Sequence, residues 1–241
     1  MRGIGEVRAG DDVAALIADA AGVAGGLASG DVVVVTQKIV SKAEGRLVDL
    51  ATVEPSPFAR QLADAHGKDA RHVEVVLRES RRIVKMDRGV LISETHHGYV
   101  CANAGVDASN VPGEHVLALL PVDPDASAER IRQGLLARLG AVVGVVISDT
   151  FGRVWRMGQT NVAIGVAGLQ PLVSYVGQRD AYGYDLRVTQ LAAADEIAAA
   201  AELVMGKTDA VPVAVVRGLA HLLGAGAARD LVRPPETDLF R

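Results

Sequence analysis

The chain of 241 residues holds a single cysteine, Cys101, so no internal disulfide can form. Its N-terminus also lacks the succession of a signal peptide, and together these features predict a protein of the reducing cytoplasm. Aromatic residues make up only 3% against 49% hydrophobic residues overall, so the core must be built from Ala, Val, Leu and Ile. No apolar run approaches the length of a membrane-spanning helix, about 18 residues, so no membrane partner is expected. An excess of basic charge is missing too: 25 Lys and Arg against 29 Asp and Glu give a net charge of −4. That argues against a nucleic-acid partner, whose footprint would be basic, but leaves room for a local anion site. The Walker pattern GxxxxGKS/T is absent, as are GxSxG and HExxH.

What is present predicts a mixed architecture. The Ala-rich segment after Asp11-Asp12 has helical apolar spacing with an aspartate N-cap. VVVV at 32–35 reads as a buried strand, as does AVVGVVIS at 141–148. PFARQLADAHG, DARHVEVVLRESRR, ASAERIRQGLLARLG and the long segment ending AAAAELVMG read as helices, while RIVKM, GVLIS, YVCAN, HVLALL, NVAIGVAG, LVSYVG and VPVAVV read as strands. Strands come both in runs and alternating with helices, which predicts an α+β fold rather than a regular doubly wound sheet. Residues 1–228 are expected to form the domain, and the charged stretch 229–241, with Pro234-Pro235, a linker or docking tail.

Three stretches can carry chemistry. In NAGVDASN, 103–110, Asp107 stands among small residues with no Lys or Arg within ten positions on either side. It is either the centre of an Asx-turn or a ligand whose counter-ion is a metal that approaches through those small residues. Asn110 on the same loop can contact a base, ribose or phosphate. In VVGVVISDTFGRVWRMG an apolar strand runs into Asp149-Thr150, a cap of a turn or helix in one reading and a hard-cation site in the other. If the two loops meet, their carboxylates repel unless a cation sits between them. Arg153 and Arg156 follow and can grip phosphate or carboxylate bidentately. The third stretch, TQKIVSKAEGR, places Lys38, Ser41, Lys42 and Arg46 beyond a strand end, as phosphate contacts or as a solvated basic loop. His96-His97 lacks metal-ligand spacing, and Cys101 reads as core. GQRDAYGYDLR, 177–187, is a surface hairpin or a substrate contact.

In order along the chain, KIVSKAEGR, NAGVDASN, LLPVDPDASAERIR, ISDTFGRVWRMGQTNVAIG, and ADEIAAAAELVMG followed by VPVAVVRGL resemble the F420 gamma-glutamyl ligase family, the coenzyme F420-0:L-glutamate ligases. The resemblance runs from about Gly3 to Leu219, and the tail is similar to the join, in actinobacterial two-domain forms, to a flavin-binding nitroreductase-like domain. It implies a mixed α/β ligase fold assembled as an intertwined homodimer. It implies a GTP-dependent enzyme that joins L-glutamate to the 5-deazaflavin precursor F420-0 through an acyl phosphate and extends a γ-linked tail. Two divalent cations, Mn²⁺ or Mg²⁺, and K⁺ are implied as cofactors. By position, Asp107 and Asp149 match metal ligands, with Thr150 on the second cation. Ile4, Gly5, Glu6, Val7, Gln37, Lys42, Asn110 and Gly206 match nucleotide-contact positions. Lys207 departs from the acidic, glycine-rich pattern expected after the long helix; Asp209 can substitute there, or Lys207 can meet phosphate directly. A metal-dependent nucleotide phosphohydrolase and a degenerate nucleotide-binding module remain as alternatives.

Overall fold

The computed structural model describes residues 1–239; positions 240 and 241 of the expected tail lie outside the described residues. In chain order, α1 (Val13–Val23) leads to β1 (Val32–Thr36), α2 (Gln37–Ala43) and β2 (Leu47–Asp49). Next come α3 (Pro57–His66), α4 (Ala70–Arg78), β3 (Ser80–Asp87), β4 (Val90–Thr95), β5 (Val100–Ala102) and β6 (Val116–Ala118). The second half runs α5 (Pro124–Leu139), β7 (Gly144–Gly152), β8 (Gln159–Ala167), β9 (Val173–Ser174), β10 (Gln190–Leu191), α6 (Ala193–Met205) and β11 (Val213–Val216). Several sheets mixed with helices bear out the α+β expectation.

The central sheet has the order β11-β1-β7-β8, and only the β1–β7 pair is parallel. Alternation along β1 sends Val33 and Val35 to one face and Val32 and Val34 to the other. The first face packs on α1 and α5 through Ile17, Ile131 and Leu135; the second packs on α6 through Ile197, Ala201 and Met205. All four valines are fully buried, each contributing about 1.5–3 kcal/mol relative to exposure. A separate cluster joins α3 and α4 to Leu91, Val106, Leu117 and Leu119. Ala228 is buried against the α6 side, where a 3₁₀ turn, Ala228–Leu231, docks the start of the tail.

Local signals set the helix ends. α5 starts from Asp123, whose carboxylate accepts the Ala126 amide, with Pro124 in the first turn, and it stops at left-handed Gly140. α3 repeats the pattern with Ser56, Pro57 and Gly67. The basic stretch after β1 is not a loop: Gln37–Ala43 is helical, and only the next residues turn. Asp149 and Thr150 cap nothing; β7 continues through them to Gly152. Among the described residues no helix is long and apolar enough to cross a membrane.

α5 lies so close to β8 that a Cβ on Gly165 would stand 2.4 Å from the Pro124 carbonyl oxygen. Gly165→Ala is expected to lower stability by about 1–3 kcal/mol, measured by urea unfolding. An unchanged midpoint would contradict this packing.

Candidate active site

Parallel strands present their carboxyl ends on the same side, where loops can gather functional groups. Here Thr36 pairs with Ser148, so the residues just beyond β1 sit beside Asp149 and Thr150. A third segment arrives from the cluster around α3 and α4: Asp107 bridges Ala118, donating its amide to Ala118 O at 3.0 Å and accepting the Ala118 amide at 2.8 Å. The loop after α6 closes the remaining side. Together they bound a cavity of about 820 Å³, within the range of small-molecule sites.

Ile4, Gly5, Glu6, Val7, Gln37, Lys42, Asn110, Gly206, Asp107, Asp149 and Thr150 all line this cavity. They are not equivalent. Ile4 and Val7 are buried anchors that leave Gly5 and Glu6 exposed between them. Gln37 is buried, and its amide nitrogen donates to Leu119 O at 3.0 Å and to Ser41 Oγ, so it also fastens α2 to the 119–120 strand end. Gly206 ends α6 with φ 62°, and a Cβ there would meet Asp209 Oδ2 at 2.6 Å. Arg153 and Arg156 are not brought in. Both are exposed on the β7–β8 turn, and Arg153 is turned back onto the carbonyls of Met157 and Gly158. The 177–187 hairpin closes on itself through Arg179–Asp185 at 3.0 Å and does not line the cavity. His96 and His97 face backbone carbonyls of Arg78 and Pro121. Cys101 is buried as expected, yet it borders the cavity; burial, then the nearby Asp149, pushes its thiol up to about 12.

Asp107 forms the Asx-turn expected of its loop. Its Oδ1 accepts the Ser109 amide at 2.8 Å, an Asx-turn, and its Oδ2 accepts Ser109 Oγ at 2.7 Å. The small residues before it have a packing cause. Asn103, Ala104 and Gly105 are successively left-handed, Ala104 is buried, and a Cβ on Gly105 would press on Leu120 at 2.9 Å. Nor is its charge bare in space: Lys38 Nζ lies 2.7 Å from Oδ2. Burial raises the Asp107 pKa, but the hydrogen bonds from Lys38 and Ser109 outweigh it and hold the carboxyl below its ordinary range.

Three features of the cavity are revealed only by tertiary contacts: Asn161, Glu202 and the pairing of Lys38 with Asp107. Buried Asn161, opposite Thr150 on β8, accepts the Thr150 hydroxyl at 2.7 Å and donates to Glu202 Oε2 at 2.8 Å. Lys207 Nζ joins them, 2.6 Å from Thr150 Oγ1 and 2.7 Å from Glu202 Oε1. Lys42, buried, pairs with half-exposed Glu6 at 2.6 Å. Each lysine of the cavity thus holds a carboxylate. One member of each pair, Asp107, Glu6 or Lys207, is about half-exposed, so an incoming anion or cation can reach it.

The oxygen donors suit a hard cation. Carboxylates of Asp107 and Asp149, the Thr150 hydroxyl and the Asn161 amide oxygen border one space, and its single thiol, Cys101, is held protonated by burial. Among the described residues no group of three or more His, Cys, Asp or Glu is placed to hold an ion alone.

The family model described as F420-0:Gamma-glutamyl ligase matches residues 3–218. The chain is 46% identical to the coenzyme F420:L-glutamate ligase of Methanothermobacter thermautotrophicus, over 100% of this chain and 97% of that protein. It is 47% identical to the protein of the same name from Methanopyrus kandleri, over 98% and 94% of the two chains. The Archaeoglobus fulgidus counterpart is 42% identical over 100% and 94%.

Asp149 carries an electrostatic cost. Burial pushes its carboxyl up to about 6, aided by Asp107 and opposed by the Thr150 amide, Lys38 and Lys207. Its folded pKa lies above the ordinary 3.8, so the folded state binds more protons between these values and stability falls as pH rises through them. Asp149→Asn is therefore expected to stabilise the cation-free protein at pH 7 by about 1–3 kcal/mol. The gain should shrink as pH falls below about 6 and vanish near the ordinary carboxylate pKa. Urea unfolding with a chelator at several pH values measures it, and a destabilised variant at pH 7 would refute the burial cost.

Proposed function

The chain belongs to the F420-0:gamma-glutamyl ligase family, and from that premise we propose that it ligates L-glutamate to the deazaflavin precursor F420-0, with GTP supplying the activation. The observation that supports this reading is the gathering in one cavity of oxygen donors, Asp107, Asp149, Thr150 and Asn161, with three lysines, Lys38, Lys42 and Lys207. Amide formation from a free carboxylate needs a better leaving group than hydroxide. Phosphoryl transfer from GTP to the precursor carboxylate gives an acyl phosphate; the glutamate amine then attacks the acyl carbon and phosphate departs. Repeated on the γ-carboxylate of the new glutamate, the same chemistry extends the tail.

In this reading the protein's work is positioning and charge neutralisation. Asp107 and Asp149, with Thr150, would hold Mn²⁺ or Mg²⁺, which supply charge neutralisation on phosphate oxygens. Lys42, buried on α2 and fixed by its helix, points a rigid positive charge at the phosphates. Gly5 and Glu6, between the anchors Ile4 and Val7, offer backbone to the nucleotide, and Asn110 offers an amide on the opposite loop. K⁺ belongs to the same proposal, as does cytoplasmic residence.

A homodimer is also part of the proposal. Large apolar side chains are exposed on the β7–β8 turn (Val154, Trp155, Met157), on the 175–189 hairpin (Tyr182, Tyr184, Val188) and at the end of α6 (Leu203, Val204). Exposed apolar groups in such number fit a covered surface. Light scattering on the purified chain is expected to give twice the monomer mass, and a monomer at micromolar concentration would reject the dimer.

The function is tested by mass spectrometry of products after incubation with GTP, Mn²⁺, L-glutamate and F420-0, each omitted in turn. A gain of one or more glutamyl units that disappears without GTP is expected. GTP loss independent of glutamate and F420-0 would favour a phosphohydrolase instead. Asp107→Asn should lower turnover by at least about a hundredfold with little change in thermal stability, because Asp107 is half-exposed.

A further inference from the structure

Two of the cavity's lysines stand on the oxygens that the proposed reading gives to divalent cations. Asp107, with about four lone-pair positions on its carboxylate, already accepts the Ser109 amide, the Ser109 hydroxyl and Lys38 Nζ. Thr150 Oγ1 donates to Asn161 and accepts Lys207 Nζ, which also contacts Glu202. Both ammonium groups therefore supply positive charge where a cation would. Lys42 differs: its partner Glu6 is not among the proposed cation ligands.

We propose that Lys38 and Lys207 are resident counter-ions that hold divalent cations off the Asp107 and Thr150 oxygens until an anionic nucleotide draws their ammonium groups away. The inference rests on the reading of this cavity as a nucleotide and cation site. The chemistry of the exchange is simple. A triphosphate offers each lysine new oxygen acceptors, so no ammonium is left without a partner, and the vacated carboxylate and hydroxyl oxygens become free for the cation that the triphosphate itself brings. Lys38 is positioned for this by the first turn of α2, and Lys207 by the loop that follows Gly206. Asp107 and Lys207 are both about half-exposed, so an incoming ion reaches one member of each pair. Both lysines also act electrostatically on Asp149, which lines the same cavity. Cation and nucleotide must then bind with positive coupling, and by linkage each raises the other's affinity by the same factor.

The test is direct Mn²⁺ binding to the full chain, read from the electron paramagnetic resonance signal of free Mn²⁺, with no turnover involved. Without nucleotide, Lys38→Met and Lys207→Met are each expected to bind Mn²⁺ about tenfold more tightly than the wild type. Lys42→Met and the remote Lys85→Met, which remove the same charge elsewhere, should not. Lys38→Gln provides a second variant should Lys38→Met fail to fold. With a non-hydrolysable GTP analogue, and after correction for Mn²⁺ held by free analogue, the wild type should tighten by about the same factor; the two methionine variants should gain less. Unchanged Mn²⁺ affinity in both variants, or an equal rise in all four, would overturn the inference. Analogue that binds the wild type without any gain in Mn²⁺ affinity would also overturn it, leaving the functional reading intact. Analogue that does not bind at all would overturn the functional reading and the inference with it.

Discussion

The parallel pairing of β1 with β7 is the constraint on which the site depends. Its register sets Thr36 against Ser148, so the chain leaves β1 into α2 at the level where β7 carries Asp149 and Thr150. α2 then aims Lys38 toward the Asp107 loop and buries Lys42 beside the N-terminal segment. Because β1 is valine on both faces, a one-residue slip would exchange valine for valine, and the distinguishing contacts lie at its ends, where Asp31 O accepts the Gly144 amide at 3.0 Å and the Thr36 amide donates to Pro212 O at 2.9 Å. The four fully buried valines of β1 hold the strand in the core, and the register at its ends holds the cavity.

Charge is distributed through the cavity in two ways. Where carboxylates are half-exposed, as at Asp107 and Glu6, lysines sit on them directly. Where the carboxylate is enclosed, as at Asp149, burial keeps the proton affinity high. A protein selected only for stability would avoid a partly buried acid beside another acid and would not hold Asn103 and Ala104 in left-handed conformations. Such local costs gather at functional sites and are sustained by the surrounding core.

Much of this was legible in the sequence. Uninterrupted valine runs mark the central strands, and Asp123-Pro124 to Gly140 brackets α5 with a cap, a proline and a left-handed stop. Asp107, Asp149, Asn110 and Lys42 stand out because polar groups follow apolar strands there, and all four reach one cavity. The rest required tertiary contacts. α2 is a two-turn helix whose buried Gln37 and Ser41 are satisfied by the carbonyl of Leu119, far away in sequence, so the segment reads as a polar loop. Asn161 and Glu202 gain meaning only when β8 and α6 meet. The small residues around Asp107 suggested room for a ligand, but Gly105 is small because Leu120 packs against it. Arginine spacing in Arg153 and Arg156 carries no information about which way a hairpin turn faces.

The most direct measurement is a crystal structure of the chain with Mn²⁺ and a non-hydrolysable GTP analogue, with anomalous differences recorded at the manganese edge. The expected map has anomalous peaks bordered by Asp107 and by Asp149 and Thr150, with the triphosphate running from them toward Lys42. Nucleotide bound elsewhere, or manganese peaks remote from both aspartates, would contradict the assignment of this cavity as the active site.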